Sequence, residues 1–139
     1  MNQLSIYTDG GARGNPGPAA VGVVFEMADW RETYELCIGE ATNNTAEYRA
    51  VLEAIAQISS IIARKGSISS LDFYLDSQLV VRQILGEYKV KEPSLQEYCR
   101  EVLQKLKALA LPYTFTHIPR AQNALADSLV NHALDHQAS

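Results

Sequence analysis

Tyr7-Thr8-Asp9-Gly10-Gly11-Ala12-Arg13-Gly14-Asn15-Pro16-Gly17-Pro18 stands near the start of the chain, directly after the alternating, β-forming residues 4–8. The pattern is a strand ended by an aspartate and followed by a loop rich in glycine and proline. Residues 19–27 resume a strand, with Gly22 inside it as a bulge or a site of close approach. Because a strand and not a helix follows the glycines, a dinucleotide-binding fingerprint is excluded. Tyr74-Leu75-Asp76-Ser77-Gln78 repeats the arrangement of strand, then aspartate. If the two strands are parallel neighbours, both carboxylates emerge at one carboxyl edge, where open α/β sheets hold their ligands.

Working outward, residues 31–38 read as a third strand, joined to the second by a short hairpin at Ala28, Asp29 and Trp30. Residues 45–65 read as a long helix, with Thr42, Asn43, Asn44 and Thr45 as cap candidates and Gly66 as its stop. Val51, Ala54, Ile55, Ile58 and Ile62 form its apolar stripe, and Glu47 lies on that stripe one turn before Val51. A carboxylate in that place needs a reason. Residues 71–75 are the fourth strand and 77–85 a short helix capped by Asp76 or Ser77. Residues 94–110 are a second long helix with Leu95, Tyr98, Val102, Leu103 and Leu106 inward. Residues 112–118 are the fifth strand, 119–123 a tight loop and 124–136 the last helix, with frayed residues after it. The first three strands suit antiparallel pairing, and the later two, reached through helices, suit parallel crossovers. The expected fold is α/β, a mixed five-stranded sheet flanked by helices, in one domain spanning residues 1–139.

The chain has 139 residues, 47% hydrophobic and 20% charged, which excludes disordered and fibrous classes. No apolar run approaches the roughly 20 residues that span a bilayer. The first residues lack the basic flank and apolar core of a signal peptide, so a cytoplasmic protein without membrane contact is expected. Cys37 and Cys99 are isolated and expected to be reduced and buried, too far apart for a zinc knuckle. Twelve Lys and Arg face 16 Asp and Glu, a net charge of −4, opposite in sign to a broadly basic nucleic-acid binder.

Four acids change that argument. Asp9, Glu47, Asp76 and Asp127 sit on separate elements. Taken singly, an Asp at a strand end turns the chain, and one at a helix start caps it. Taken together, the four can meet at one sheet edge. Converging carboxylates repel and are costly to bury unpaired. Hard divalent cations such as Mg²⁺ or Mn²⁺ remove the repulsion, and two of them about 4 Å apart clamp an in-line phosphodiester displacement. Without these four, 16 − 4 = 12 acids balance 12 bases, and the net charge no longer argues against a nucleic-acid substrate.

The motifs are the opening stretch (Tyr7 to Pro18), Thr42-Asn43-Asn44-Thr45-Ala46-Glu47-Tyr48, Leu75-Asp76-Ser77-Gln78 and His117-Ile118-Pro119-Arg120-Ala121-Gln122-Asn123-Ala124-Leu125-Ala126-Asp127. In this order and spacing the chain resembles type 1 ribonuclease H over residues 6–134, and the short closing motif resembles the archaeal-type subgroup. The resemblance implies a ribonuclease H-like fold with the Asp9 and Asp76 strands adjacent. It implies an endonuclease that hydrolyses the RNA strand of RNA–DNA hybrids, leaving 5′-phosphate and 3′-hydroxyl ends. It further implies two Mg²⁺ or Mn²⁺ ions held by Asp9, Glu47, Asp76 and Asp127, in a monomer. Archaeal-type relatives include enzymes that also cut double-stranded RNA, so that substrate stays open. Gly10, Gly11, Gly14 and Gly17 would let a sugar–phosphate strand approach the backbone, or would merely serve a hairpin loop. Asn15, Asn43, Asn44 and Gln78 would read 2′-hydroxyls and base edges from the minor groove, with helix capping as the alternative for Asn43 and Asn44.

Two departures stand out. Many bacterial relatives carry a mobile His before the last helix, whereas residues 119–123 hold only Arg120 as a charged group. A guanidinium there could hold the scissile phosphate or assist product release, but it shuttles protons poorly. His117, at the end of the fifth strand, is a packed strand residue or a neighbour of the site. Residues 87–93 supply only Lys89 and Lys91 in place of the basic, Trp-bearing insertion of other relatives, so weaker hybrid binding is expected. The competing readings are a noncatalytic hybrid-binding module, a sugar-kinase-type phosphotransferase and a retroelement nuclease domain. Retention of all four acids disfavours the first, and the need for two domains disfavours the second. A start at Met1 and an end soon after the last helix suit a stand-alone protein better than the third.

Overall fold

Strand pairing orders the chain. In the computed structural model, which describes residues 2–137, β1 (Gln3–Ala12), β2 (Gly17–Met27) and β3 (Trp30–Ala41) form an antiparallel meander. β4 (Ser70–Leu75) and β5 (Tyr113–His117) add to the other side of β1 in parallel, giving the order β3-β2-β1-β4-β5. The helices are α1 (Asn43–Lys65), α2 (Gln78–Ile84), α3 (Pro93–Leu109) and α4 (Ala124–Gln137), with a 3₁₀ turn over Arg120–Asn123 before α4. This is the mixed five-stranded sheet that the patterning predicts. Among the described residues no helix is long and apolar enough to cross a membrane. The residues after Gln137, where fraying is expected, lie outside the described residues.

Side chains alternate across each strand. The large core lies on the α1–α3 face, where Leu4, Ile6, Val23, Phe25, Leu71 and Phe73 meet Val51, Ile55, Ile58, Val102 and Leu106. A smaller cluster of Ala20, Val130, Ala133 and Leu134 joins β2 to α4. On α1, Ile62 is only partly buried and Ile61 takes the deeper place. On α3, Leu103 is 38% exposed rather than inward. The buried line there is Leu95, Cys99, Val102 and Leu106, and a helix turns about 100° per residue, which carries Leu103 off that line.

Several boundaries differ from the sequence expectation. Asp9 to Ala12 are not loop: they pair with Gly22 to Ala19 of β2. The ladder satisfies their backbone groups and outweighs the weak strand preference of glycine. The β2–β3 turn is two residues, Ala28 and Asp29, because Met27 pairs with Trp30. Residues 120–123 form a 3₁₀ turn rather than an irregular loop. The register shift of β2 and β3 falls between Ala19 and Ala20, not at Gly22. Cys99 is buried as expected, but Cys37 is half-buried, and both are free thiols.

Gly22 is instead a site of close approach. A Cβ there would lie 2.4 Å from the Ala126 carbonyl oxygen and 2.8 Å from the Leu129 Cβ, so α4 rests directly on the β2 backbone. Gly11 also faces α4, but its Cβ would meet Val130 at an ordinary 3.6 Å. Gly22→Ala is therefore expected to lower unfolding free energy by about 1–3 kcal/mol through overpacking, whereas Gly11→Ala changes it little. Denaturant melts of the two variants check this, and equal effects would refute the close-approach account.

Candidate active site

Thr8 of β1 pairs with Leu75 of β4 at the end of that ladder, so Asp9 and Asp76 follow side by side, Asp9 still paired with Gly22 of β2 and Asp76 just beyond the end of β4. Glu47 joins them from the first turns of α1. Thr42 caps that helix by accepting from the Thr45 amide at 3.2 Å, and Asn43 and Asn44 begin the helix rather than cap it. One carboxylate oxygen from each of Asp9, Glu47 and Asp76 falls within 4.8 Å of the others. Asp127, in the first turn of α4, sets its carboxylate against that of Asp9. All four border one cavity of about 530 Å³.

Neutral neighbours contact three of the four acids. The Gly10 amide donates to Glu47 Oε1 at 2.7 Å. The Asn123 side-chain amide donates to the Thr8 carbonyl at 2.8 Å and lies 3.5 Å from Asp76 Oδ2. The Asn131 amide donates to the Asp127 carbonyl at 3.2 Å and lies 3.5 Å from its Oδ2. Arg120 is 83% exposed, borders the cavity and stands 3.9 Å from Asp127 Oδ1.

Crowding shows in the electrostatics. Burial is the largest influence on Asp9, followed by the charges of Asp76 and Asp127, and together they push its carboxyl up to about 8. Burial and the charges of Asp9 and Asp76 hold Glu47 well above the usual carboxylate range, against the Gly10 amide, which pulls it down. No lysine borders the cavity among the described residues. Buried acids that raise each other's proton affinity, with no ammonium among them, form a hard oxygen donor set, and that set fits a divalent cation of the Mg²⁺ or Mn²⁺ kind.

Gly10, Gly11, Asn43, Asn44, Asp76 and Arg120 all line the cavity with the other acids, whereas Asn15 and Gln78 do not. Gln78 is the exposed first residue of α2, behind Ser77, which caps the helix by accepting from Val80 N. Asn15 acts at one remove: its Oδ1 accepts from the Asn43 amide, and Asn43 Oδ1 accepts from the Ala12 amide, both at 2.9 Å. These bonds strap the β1–β2 loop to the start of α1 and leave both NH₂ groups as donors. Gly10 is glycine for packing: a Cβ would lie 2.1 Å from the Ala46 carbonyl oxygen. His117 is exposed at the end of β5 and does not line the cavity. His132 and His136 are exposed on α4, His132 with its Nδ1 2.6 Å from Glu35 Oε2. Sequence reasoning missed Asn123 and Asn131. Their signal was spacing, four residues either side of Asp127 and so on the same helical face.

A protein-family model described as reverse transcriptase-like matches residues 7–133. A bifunctional protein of Mycobacterium tuberculosis is 38% identical over 136 residues, covering 96% of this chain and 36% of that protein. Ribonuclease HI of Halobacterium salinarum is 39% identical over 138 residues, covering 96% of this chain and 65% of that protein. The chain thus spans roughly a third to two thirds of these relatives' length. LC11-RNase H1, solved in complex with an RNA/DNA hybrid, matches with a TM-score of 0.88 at 40% identity, over 98% of this chain and 99% of that one. The chain belongs to the reverse transcriptase-like family and, within it, to the type 1 ribonuclease H proteins.

Proposed function

We propose that the chain is a divalent-metal-dependent endonuclease that hydrolyses the RNA strand of RNA–DNA hybrids, leaving 5′-phosphate and 3′-hydroxyl ends. The observation that carries the reading is the meeting of Asp9, Glu47 and Asp76 within 4.8 Å, with Asp127 against Asp9. A likeness to a relative solved with such a hybrid supports the choice of substrate. Residues 1–139 act as one catalytic domain, as a monomer in the cytoplasm.

Asp9, Glu47, Asp76 and Asp127 would hold two Mg²⁺ or Mn²⁺ ions. Bound there, such ions supply Lewis acidity toward a phosphodiester and charge neutralisation for its leaving oxygen. The chain's own residues do the positioning. The Gly10 amide fixes Glu47, Asn123 steadies Asp76 and Asn131 steadies Asp127. Arg120 offers a guanidinium to the scissile phosphate from the open side of the cavity. Asn15, Asn43 and Asn44, together with Gln78 from the start of α2, would address the minor groove, whose 2′-hydroxyls mark the RNA strand. Gly10 and Gly11 keep the cavity floor free of side chains. Double-stranded RNA presents the same 2′-hydroxyls and is the second substrate of this reading.

Matched RNA–DNA, RNA–RNA and DNA–DNA duplexes with Mg²⁺ and with Mn²⁺ test the assignment. Cleavage of the hybrid's RNA strand is expected, and cleavage of DNA–DNA alone would sink it. Asp9→Asn is expected to lower kcat at least about a hundredfold, and undiminished turnover would remove Asp9 from the site. Hybrid binding without turnover in either metal would replace the enzyme with a noncatalytic module.

The acids also predict a pH dependence. The folded pKa of Asp9, about 8, exceeds its ordinary 3.8, so between these pH values the metal-free folded chain binds more protons than the unfolded one. Stability of the metal-free protein therefore falls as pH rises through that window. In chelator, Asp9→Asn is expected to raise Tm at pH 8 and to raise it less near pH 5. Added Mg²⁺ or Mn²⁺ should raise the Tm of the unsubstituted protein most at pH 8. A Tm difference between variant and parent that stays flat with pH would contradict the electrostatic account.

A further inference from the structure

A second arginine borders the cavity, and the reading above leaves it unused. Arg13 follows the last residue of β1, and its guanidinium reaches across to α4. Its Nη2 donates to Asp135 Oδ1 at 2.7 Å and lies 3.5 Å from both the side-chain and the backbone oxygen of Asn131. Asn131 is the residue that also contacts the Asp127 carboxylate. A single side chain therefore separates Arg13 from a proposed metal ligand.

The local backbone fixes Arg13 in this place. Its own amide donates to the Pro18 carbonyl at 2.8 Å, and the preceding amide, of Ala12, donates to Asn43 Oδ1. A Cβ on Gly17 would lie 2.1 Å from the Arg13 carbonyl oxygen, so glycine there lets the loop close beneath it. Among the described residues lining the cavity, only Arg13 and Arg120 are cationic. Asn131 and Asp135 stand one and two turns beyond Asp127, about 6 and 12 Å along the helix axis. A nucleic-acid strand carries a charge about every 3.4 Å of axis. A strand with its scissile phosphate at the four acids and its backbone following α4 has neighbouring phosphates along this stretch.

The present partner of Arg13 is exchangeable. The Arg13 and Asp135 side chains are 48% and 60% exposed, so water and salt screen the pair. Carboxylate and phosphate offer a guanidinium the same bidentate geometry, and the phosphate has more acceptor oxygens. We propose that Arg13 binds a hybrid backbone phosphate flanking the cut, and that Asp135 holds the guanidinium ready as an internal stand-in for that phosphate. The proposal rests on the nuclease reading and adds a positioning contact to it.

Steady-state cleavage of an RNA–DNA hybrid across a salt series tests it, with Tm recorded for every variant. Arg13→Ala is expected to raise KM about three- to tenfold, the worth of one exposed polar contact, with kcat held within about twofold. It should also make the slope of log(kcat/KM) against log[salt] shallower by about one. Arg13→Lys, which keeps the charge, should restore the slope. Asp135→Asn should act in the opposite direction and lower KM about twofold by freeing the guanidinium, an effect that vanishes in an Arg13→Ala background. Arg64→Ala removes an equal charge from a pair with Glu32 outside the cavity and should leave KM and slope alone. Unchanged KM and slope in Arg13→Ala would overturn the proposal. So would Asp135→Asn raising KM alongside a fall in Tm, because the pair would then only brace α4. A parent protein that leaves the hybrid uncut in both metals would remove the nuclease reading and this inference together, whereas an active parent with an indifferent Arg13→Ala removes this inference alone.

Discussion

The contact between Gly10 and α1 sets the site. A Cβ on Gly10 would sit 2.1 Å from the Ala46 carbonyl oxygen and 2.6 Å from the Glu47 amide nitrogen, so only a bare backbone lets the helix lie this close to β1. The same approach brings Glu47 Oε1 to the Gly10 amide at 2.7 Å. An acid on a buried helical stripe is thereby delivered beside the aspartate that precedes Gly10 in the strand. The parallel pairing of β1 with β4 then adds Asp76, and the rest of α1 buries Val51, Ile55 and Ile58 behind it. Packing and chemistry meet at one residue.

The arrangement brings mutually repelling acids together. Glu47 is 8% exposed and Asp9 6%, and burial raises the proton affinity of both. Such a cluster survives because the core beneath it is extensive and apolar, from Leu4 and Ile6 through Phe73 to Leu106. Among the described residues, Gly10, Asn123 and Asn131 offer the acids neutral hydrogen bonds. The crowded acids therefore make an electrostatic demand that a divalent cation would relieve, and that demand links stability to pH at one point. The cavity also carries two arginines at its border.

The site was more legible in the sequence than the reasons for it. Asp9 and Asp76 stand out because each directly follows a β-patterned run, which is a property of neighbours along the chain, and Glu47 because it breaks a helical stripe. Gly10 reads as loop in the sequence, yet it is a strand residue whose missing Cβ makes room for Ala46. Composition marks glycine as a breaker, but strand pairing with β2 is a long-range fact that local preference cannot carry. Leu103 failed for a smaller reason: adjacent apolar residues on a helix point about 100° apart, and only the packing of α1 against α3 says which one faces in. Asn15 and Gln78 were grouped with the cavity by motif alone, and the fold sets the first against the start of α1 and the second on an exposed helix end.

What the sequence by itself determined is the type and order of the elements and which four acids stand out as candidates for one site. Both follow from periodicity and from charge set against apolar pattern, which are properties of neighbours along the chain. What only the tertiary structure decided is which groups face one another. The 4.8 Å meeting of Asp9, Glu47 and Asp76, the strap from Asn15 through Asn43 to Ala12, and the reach of Arg13 to Asp135 join residues far apart in sequence. Their distances are set by strand register and helix packing, which depend on the whole core at once and on no single stretch of it.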